Sequence, residues 1–413
     1  MRRLAYTSLL IVILTMILAP VTYAQAVKIE FWHGLTGGEG PYLGAMIEQF
    51  NKEYGGKIEI ETQVIPWTQL YDRLSRAMVT KRAPDLVLLN VRPRVPEYAD
   101  RGTIMDLTPY LERLGISRED YLEVAWDAAN FRGRQYAIPL DCYMAGMYYL
   151  VDDYIEVGLD PDVPPAGRED FLEYARKLTK YNAQGEIERS GFAVASQWYR
   201  QFDSIFVQND GVWFNEDFTE ARFNDEIGVE SLQFIVDLIY KEKVSAPGIV
   251  DPTETMRAGK ASMRWDGVWA VNPLKEFGLN FRAAALPAVG KHRGSYAGSH
   301  GFVLPVQARE DAAKVDAALT FVRWMTERSF EYAKAGQIPA RKDVFFGDDF
   351  KTLENQFRIA EYWQYVDYGP NFPLASEALS QLGSAFEAAV LGVKSAPEAL
   401  NEAAAHANEV LKR

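Results

Sequence analysis

Ala83-Pro84-Asp85-Leu86-Val87-Leu88-Leu89-Asn90 decides the fold class. From Leu86 to Leu89 the run is apolar without interruption, the texture of a parallel strand covered on both faces. Upstream, Val27-Lys28-Ile29-Glu30-Phe31-Trp32 alternates apolar and charged residues with the period of a strand. The turn Thr36-Gly37-Gly38-Glu39-Gly40-Pro41 leads into a helix predicted over 42–54. Gly55-Gly56 ends it, because glycine takes the left-handed conformation of a helix C-terminus at no steric cost. A second alternating strand sets Ile58, Ile60, Thr62 and Val64 on one face, and another helix is predicted over 67–81. Strand, helix, strand, helix, strand is the grammar of an α/β layer.

Beyond this layer, 135–141 reads as a short strand approaching a crossover and 146–151 as an apolar strand rich in tyrosine. Phe171, Leu172, Ala175 and Leu178 recur at helical spacing, and 229–240 is apolar nearly all round, as a buried helix is. The segments 281–287 and 299–305 are strand-like. Val315, Ala318, Leu319 and Val322 form one stripe of a long helix. Ser395-Ala396-Pro397-Glu398 is a capping box with proline in the first turn, opening a terminal helix that closes on Lys412 and Arg413.

The N-terminus points to export. Arg2 and Arg3 precede an apolar run from Leu9 to Ala19 in which only Thr15 is polar, and Thr22-Tyr23-Ala24 offers small residues for cleavage. This is the layout of a secretory signal peptide over 1–24. The run of about 11 residues is too short to span ~30 Å of hydrocarbon. Gln25 and Ala26 stand where a lipid anchor needs a cysteine, so the expectation is a free periplasmic or secreted protein. The sole cysteine, Cys142, allows no internal disulfide and no cysteine metal cluster. A chain of 413 residues exceeds one core and calls for two domains, yet no linker separates them. Short strands that cross between domains more than once account for this. The formal net charge of −13 argues against nucleic acid or an anionic membrane surface as partner.

Five segments stand in order along the chain: Ile29-Glu30-Phe31-Trp32-His33-Gly34; Ala83-Pro84-Asp85-Leu86-Val87; Tyr136-Ala137-Ile138-Pro139-Leu140-Asp141 with Met147-Tyr148-Tyr149-Leu150; Gly259-Lys260-Ala261-Ser262-Met263-Arg264-Trp265-Asp266-Gly267-Val268-Trp269; and Gly336-Gln337-Ile338-Pro339-Ala340-Arg341. In this order they resemble the family 1 extracellular solute-binding proteins. That group includes the maltose-, oligosaccharide- and glycerol-3-phosphate-binding components of ABC transporters. The resemblance implies an α/β, two-lobed periplasmic-binding-protein fold of type II, the Venus-flytrap form, with hinge crossovers and the ligand in the cleft. It implies a first lobe of 25–137 plus 283–338 and a second of 138–282 plus 339–413. It implies a monomer that captures a sugar, or a glycerol phosphate or polyol, without cofactor or metal, and delivers it to membrane permease subunits.

Sugars require aromatic planes for their C–H faces and paired donors and acceptors for their hydroxyls. Candidates are therefore aromatic and polar residues at strand ends and loops, the ligand side of an open sheet. In the first lobe these are His33, Glu39, Trp67, Asp85 and Asn90, with Ser299 and His300 after Gly298. Asp141 and Arg341 stand at crossovers, and Trp198, Trp265, Asp266 and Trp363 belong to the second lobe. On this reading Trp265→Ala or Asp141→Ala weakens binding about tenfold or more.

Enzyme readings find less support. His33, His292, His300 and His406 show no HExxH spacing, Cys142 has no nucleophile signature, and no G-x-S-x-G occurs. A secreted glycoside hydrolase remains a rival because paired carboxylates are abundant. A second rival, a purely adhesive surface protein, finds neither internal repeats nor an anchor in the sequence to support it.

Overall fold

The alternating stretch at the start of the layer is strand β1 (Val27–His33) of a computed structural model that describes residues 26–413. The predicted signal peptide and Gln25 lie outside the described residues. Helix α1 (Gly40–Glu53), strand β2 (Ile58–Val64), helix α2 (Trp67–Val79) and strand β3 (Leu86–Asn90) follow as the pattern requires. β1 pairs in parallel with β2 and with β3. Leu86 to Leu89 are wholly buried, as their unbroken apolar run demands. In β2 only Ile60 is buried while Thr62 and Val64 are exposed, because β2 is the edge strand of its sheet.

Helix α3 (Val91–Asp100) leaves β3 directly. The chain then forms β4 (Ile138–Pro139), β5 (Tyr143–Leu150), β6 (Ile187–Ala193), α4 (Arg200–Gln208) and α5 (Glu226–Tyr240). It continues through β7 (Ala261–Gly267), β8 (Phe281–Ala285), β9 (Ser295–Gly298), β10 (His300–Val303), α6 (Ala312–Glu327), β11 (Val366–Asp367) and α7 (Ala396–Leu411). The first sheet has the order β2-β1-β3-β10-β4. In the second, β5 is central, with β7 and then β6 on one side and β8 and β9 on the other, and β11 beyond β9. Every residue of β5 is buried.

Two lobes therefore form, and the chain crosses between the sheets at Leu140–Cys142 and again at Ser299. These crossings correct the expected lobe limits. Ile138 and Pro139 pair with β10 in the first sheet, so the first crossing follows residue 140 rather than 137. Residues 283–298 were expected in the first lobe, but β8 and β9 pair with β5 in the second. Alternation marks these segments as strands and does not say which sheet they join. Lys342 pairs with Glu123, so the chain past Arg341 still lies against the first lobe.

The crossings are hydrogen-bonded side by side. Leu140 N–H donates to the His300 carbonyl at 2.8 Å, and Cys142 N–H to the Ile338 carbonyl at 2.8 Å. Each lobe has its own aromatic core. Phe321 of α6 meets Phe31 of β1 edge-on at 5.7 Å, and Trp265 of β7 lies 5.4 Å from Phe171 and 5.3 Å from Phe192. The terminal capping box forms both ways: Glu398 accepts the Ser395 N–H at 3.0 Å and Ser395 Oγ accepts the Glu398 N–H at 3.4 Å.

Candidate ligand-binding cleft

The C-terminal ends of β1 and β3 and the start of β5 converge between the lobes. Two adjoining cavities open there, of about 330 and 360 Å³, sharing Asn90, Tyr143 and Tyr296 in their walls. Each volume falls within the range of small-molecule sites, roughly 300–1,000 Å³.

The smaller cavity is built from the first lobe upward. The loop after β1 contributes Glu39, whose carboxylate accepts a hydrogen bond from Gln337 Nε2 at 3.0 Å. Trp67, the first residue of α2, stacks on His300 at 5.4 Å with the rings 7° from parallel. Gly34 lets the Trp67 ring approach the backbone: a Cβ there would lie 2.2 Å from the indole. Asn90 ends β3, donating to Tyr71 Oη at 2.7 Å and accepting from Tyr143 Oη at 2.6 Å. Gly298 gives Tyr143 its room in the same way, since a Cβ would lie 2.3 Å from that ring. Trp269 closes the far side, edge-on to Tyr143 at 5.8 Å.

The larger cavity is richer in charge. Arg200, at the head of α4, lies between the rings of Tyr199 and Tyr296, 4.3 and 4.4 Å from their centres. Its Nη1 pairs with Asp203 at 2.5 Å. Burial pushes the Asp203 carboxyl up to about 6, against the pull of Arg200. Asp203 Oδ1 has no hydrogen-bond partner among the described residues. Trp213 donates from Nε1 to Asp367 at 2.9 Å, and Arg94 of α3 lies 4.3 Å over Tyr71. The cleft thus joins aromatic surface to free acceptors and donors, the pairing that a polyhydroxylated ring requires.

Of the sequence candidates, the structure brings Glu39, Trp67, Asn90 and His300 to the cavity walls. The others lie elsewhere, for identifiable reasons. His33 is buried, and its Nδ1 accepts the Leu35 N–H at 3.3 Å. Burial alone lowers its pKa to about 4, so the ring is neutral. Asp85 binds the Glu30 N–H and Lys314 Nζ, each through Oδ2, at the start of β3 and away from the cleft. Asp141 is fully buried and bonded to His300, and Ser299 is sealed in the crossing beside it. Trp265 is core rather than platform, and Asp266 pairs with Arg264. Trp198 packs against the second core while its neighbour Tyr199 faces the cavity. Arg341 is held by Asp343 at 2.8 Å, and Trp363 packs on Phe345 and Phe346. Sequence reasoning missed Tyr199, Arg200, Trp213 and Tyr296 as wall residues. Nothing in their local pattern separates a cleft aromatic from a core one.

Two α/β lobes with an aromatic, charged cleft at their crossings define a two-lobed binding protein. The chain belongs to the bacterial extracellular solute-binding protein family, whose model matches residues 34–329. Members of that family bind solutes and are not enzymes. The chain is 23% identical over 356 residues to the arabinooligosaccharide-binding protein of Bacillus subtilis, covering 82% of this chain and 78% of that protein. It is 22% identical over 345 residues to the sn-glycerol-3-phosphate-binding periplasmic protein of Pectobacterium atrosepticum, covering 76% and 73%. Among solved structures, an ABC substrate-binding protein of Listeria monocytogenes in complex with cycloalternan superposes with a TM-score of 0.80 at 21% identity, covering 94% of this chain and 100% of that one. The fold is therefore that of the maltose-binding-like proteins.

Proposed function

We propose that this protein captures a saccharide in the cleft and delivers it, as a monomer, to the permease of an ABC importer outside the cytoplasm. One observation carries the reading: both lobes line the cleft with aromatic rings, Trp67 from the first and Tyr199, Trp213, Tyr296 and Trp269 from the second, beside polar groups with unfilled hydrogen-bonding capacity. Saccharide-binding relatives support it. The apolar run behind Arg2 and Arg3 supports export to the periplasm. A ligand that touches both walls favours the closed arrangement of the lobes by its differential contacts, and this closed form is what the permease reads.

Thermal melting against a panel of mono-, di- and oligosaccharides tests the proposal. A ligand at 100 times its Kd adds about 2.7 kcal/mol of stability. An upward shift with one saccharide family is the expected result; melting that no saccharide alters overturns the reading.

A further inference from the structure

Three arginines, Arg92, Arg94 and Arg200, line the larger cavity against two aspartates, Asp203 and Asp367. This local positive excess stands in a chain of formal net charge −13. Such a chain repels anions at long range, so a positive wall inside its cleft is a local feature. Two of the arginines are neutralised by the protein itself: Arg94 pairs with Glu97 at 2.8 Å and Arg200 with Asp203.

Arg92 differs. It stands just past the end of β3, half-buried, and forms no ion pair among the described residues. Among the described residues its guanidinium makes one hydrogen bond, from Nη1 to the Gly369 carbonyl at 2.7 Å, and its Nε is buried without a partner. Asp367 is the acid whose charge acts most strongly on it. That carboxylate already accepts from Trp213 Nε1 and from the Gly369 N–H at 3.0 Å. A half-buried guanidinium with an unfilled donor and no paired acid is favoured by a counter-charge supplied from the cavity. A carboxylate or a phosphate does so, its oxygens accepting from the part of the guanidinium that lines the cavity.

We propose that the ligand is a saccharide bearing an anionic group, a carboxylate or a phosphate, and that Arg92 binds that group. The inference rests on the saccharide reading above and adds the charge class. Arg92 also touches the opposite lobe through Gly369, so a latch between lobes is the competing role, and the test separates the two.

Calorimetric titration of the protein uses ligands in matched pairs: uronic-acid di- and trisaccharides, their neutral counterparts, and hexose phosphates. The expected result is tighter binding of an acidic ligand than of its neutral counterpart by about tenfold or more, and the tighter acidic class names the source of the anion. In Arg92→Gln this preference collapses, the acidic ligand losing far more affinity than its neutral counterpart. Arg92→Lys keeps the charge without the fork and loses part of the preference. Equal binding of acidic and neutral saccharides by the wild type overturns the inference and leaves the saccharide reading intact. Equal weakening of both ligands in Arg92→Gln makes Arg92 a latch and likewise overturns it. Failure of every saccharide, acidic or neutral, removes both readings. Should Arg92→Gln not fold, the wild-type ratio alone decides.

Discussion

Asp141 holds His300 at two points, accepting its backbone N–H at 2.7 Å and bonding its Nδ1 at 2.7 Å. One residue sits on the first crossing between the lobes and the other immediately after the second, so the pair ties two hinge segments together. His300 also carries the Trp67 ring at the cavity wall. The clamp therefore sets the position of a cavity-facing aromatic.

Asp141→Asn removes the buried counter-charge and should cost about 3 kcal/mol or more of stability, since breaking a buried pair strands its partner. Urea denaturation measures it. The pH dependence has a defined sign. Burial opposes the charged His300 ring, but the attraction and hydrogen bond of Asp141 outweigh it, leaving its pKa above the usual 6.5. The stabilisation is then full below pH 6.5 and is lost as pH rises through the folded pKa. The gap between wild type and variant should narrow over that rise.

Trp265 should behave as core. Trp265→Ala is expected to lose about 3–5 kcal/mol of stability. Ligand affinity of the folded variant, measured by calorimetry, should stay near the wild-type value. This reverses the expectation from sequence alone, in which Trp265 is a ligand-binding candidate.

That reversal shows where sequence legibility ended. The Leu86–Leu89 run and the alternation of β1 are backbone-scale signals, and they placed the first sheet correctly. The Ser395–Glu398 box is a local motif whose partners lie three residues apart, and it formed as read. Trp265-Asp266-Gly267-Val268-Trp269 marked a dense constellation, but the two tryptophans part company in space. Strand register turns Trp265 toward Phe171 and Phe192, while the chain bends after Gly267 and sends Trp269 to the cavity. The partners that decide this lie more than seventy residues away in the chain. Tyr199 and Trp198 pose the same problem one residue apart. Arg92 and Arg200 gain meaning only from what does or does not pair with them, which is a property of the folded cleft.

His33 should set part of the acid limb of stability. Its folded pKa of about 4 lies below the usual 6.5, so the unfolded chain takes up the proton first. Stability present above pH 6.5 is lost as pH falls through 4, roughly 3 kcal/mol for this group. Melting temperatures from pH 7 to 4 should fall less steeply in His33→Gln than in the wild type. Parallel curves would mean that His33 titrates normally.

The central claim is that the ligand lies between the lobes and needs aromatic surface from both. Calorimetric titration of the saccharide that stabilises the wild type, repeated with Trp67→Ala from the first lobe and Tyr199→Ala from the second, tests it most directly. The account predicts that each variant remains folded and binds at least about tenfold more weakly, a loss of ~1.4 kcal/mol or more. Wild-type affinity in both variants would contradict it and move the binding site out of the cleft.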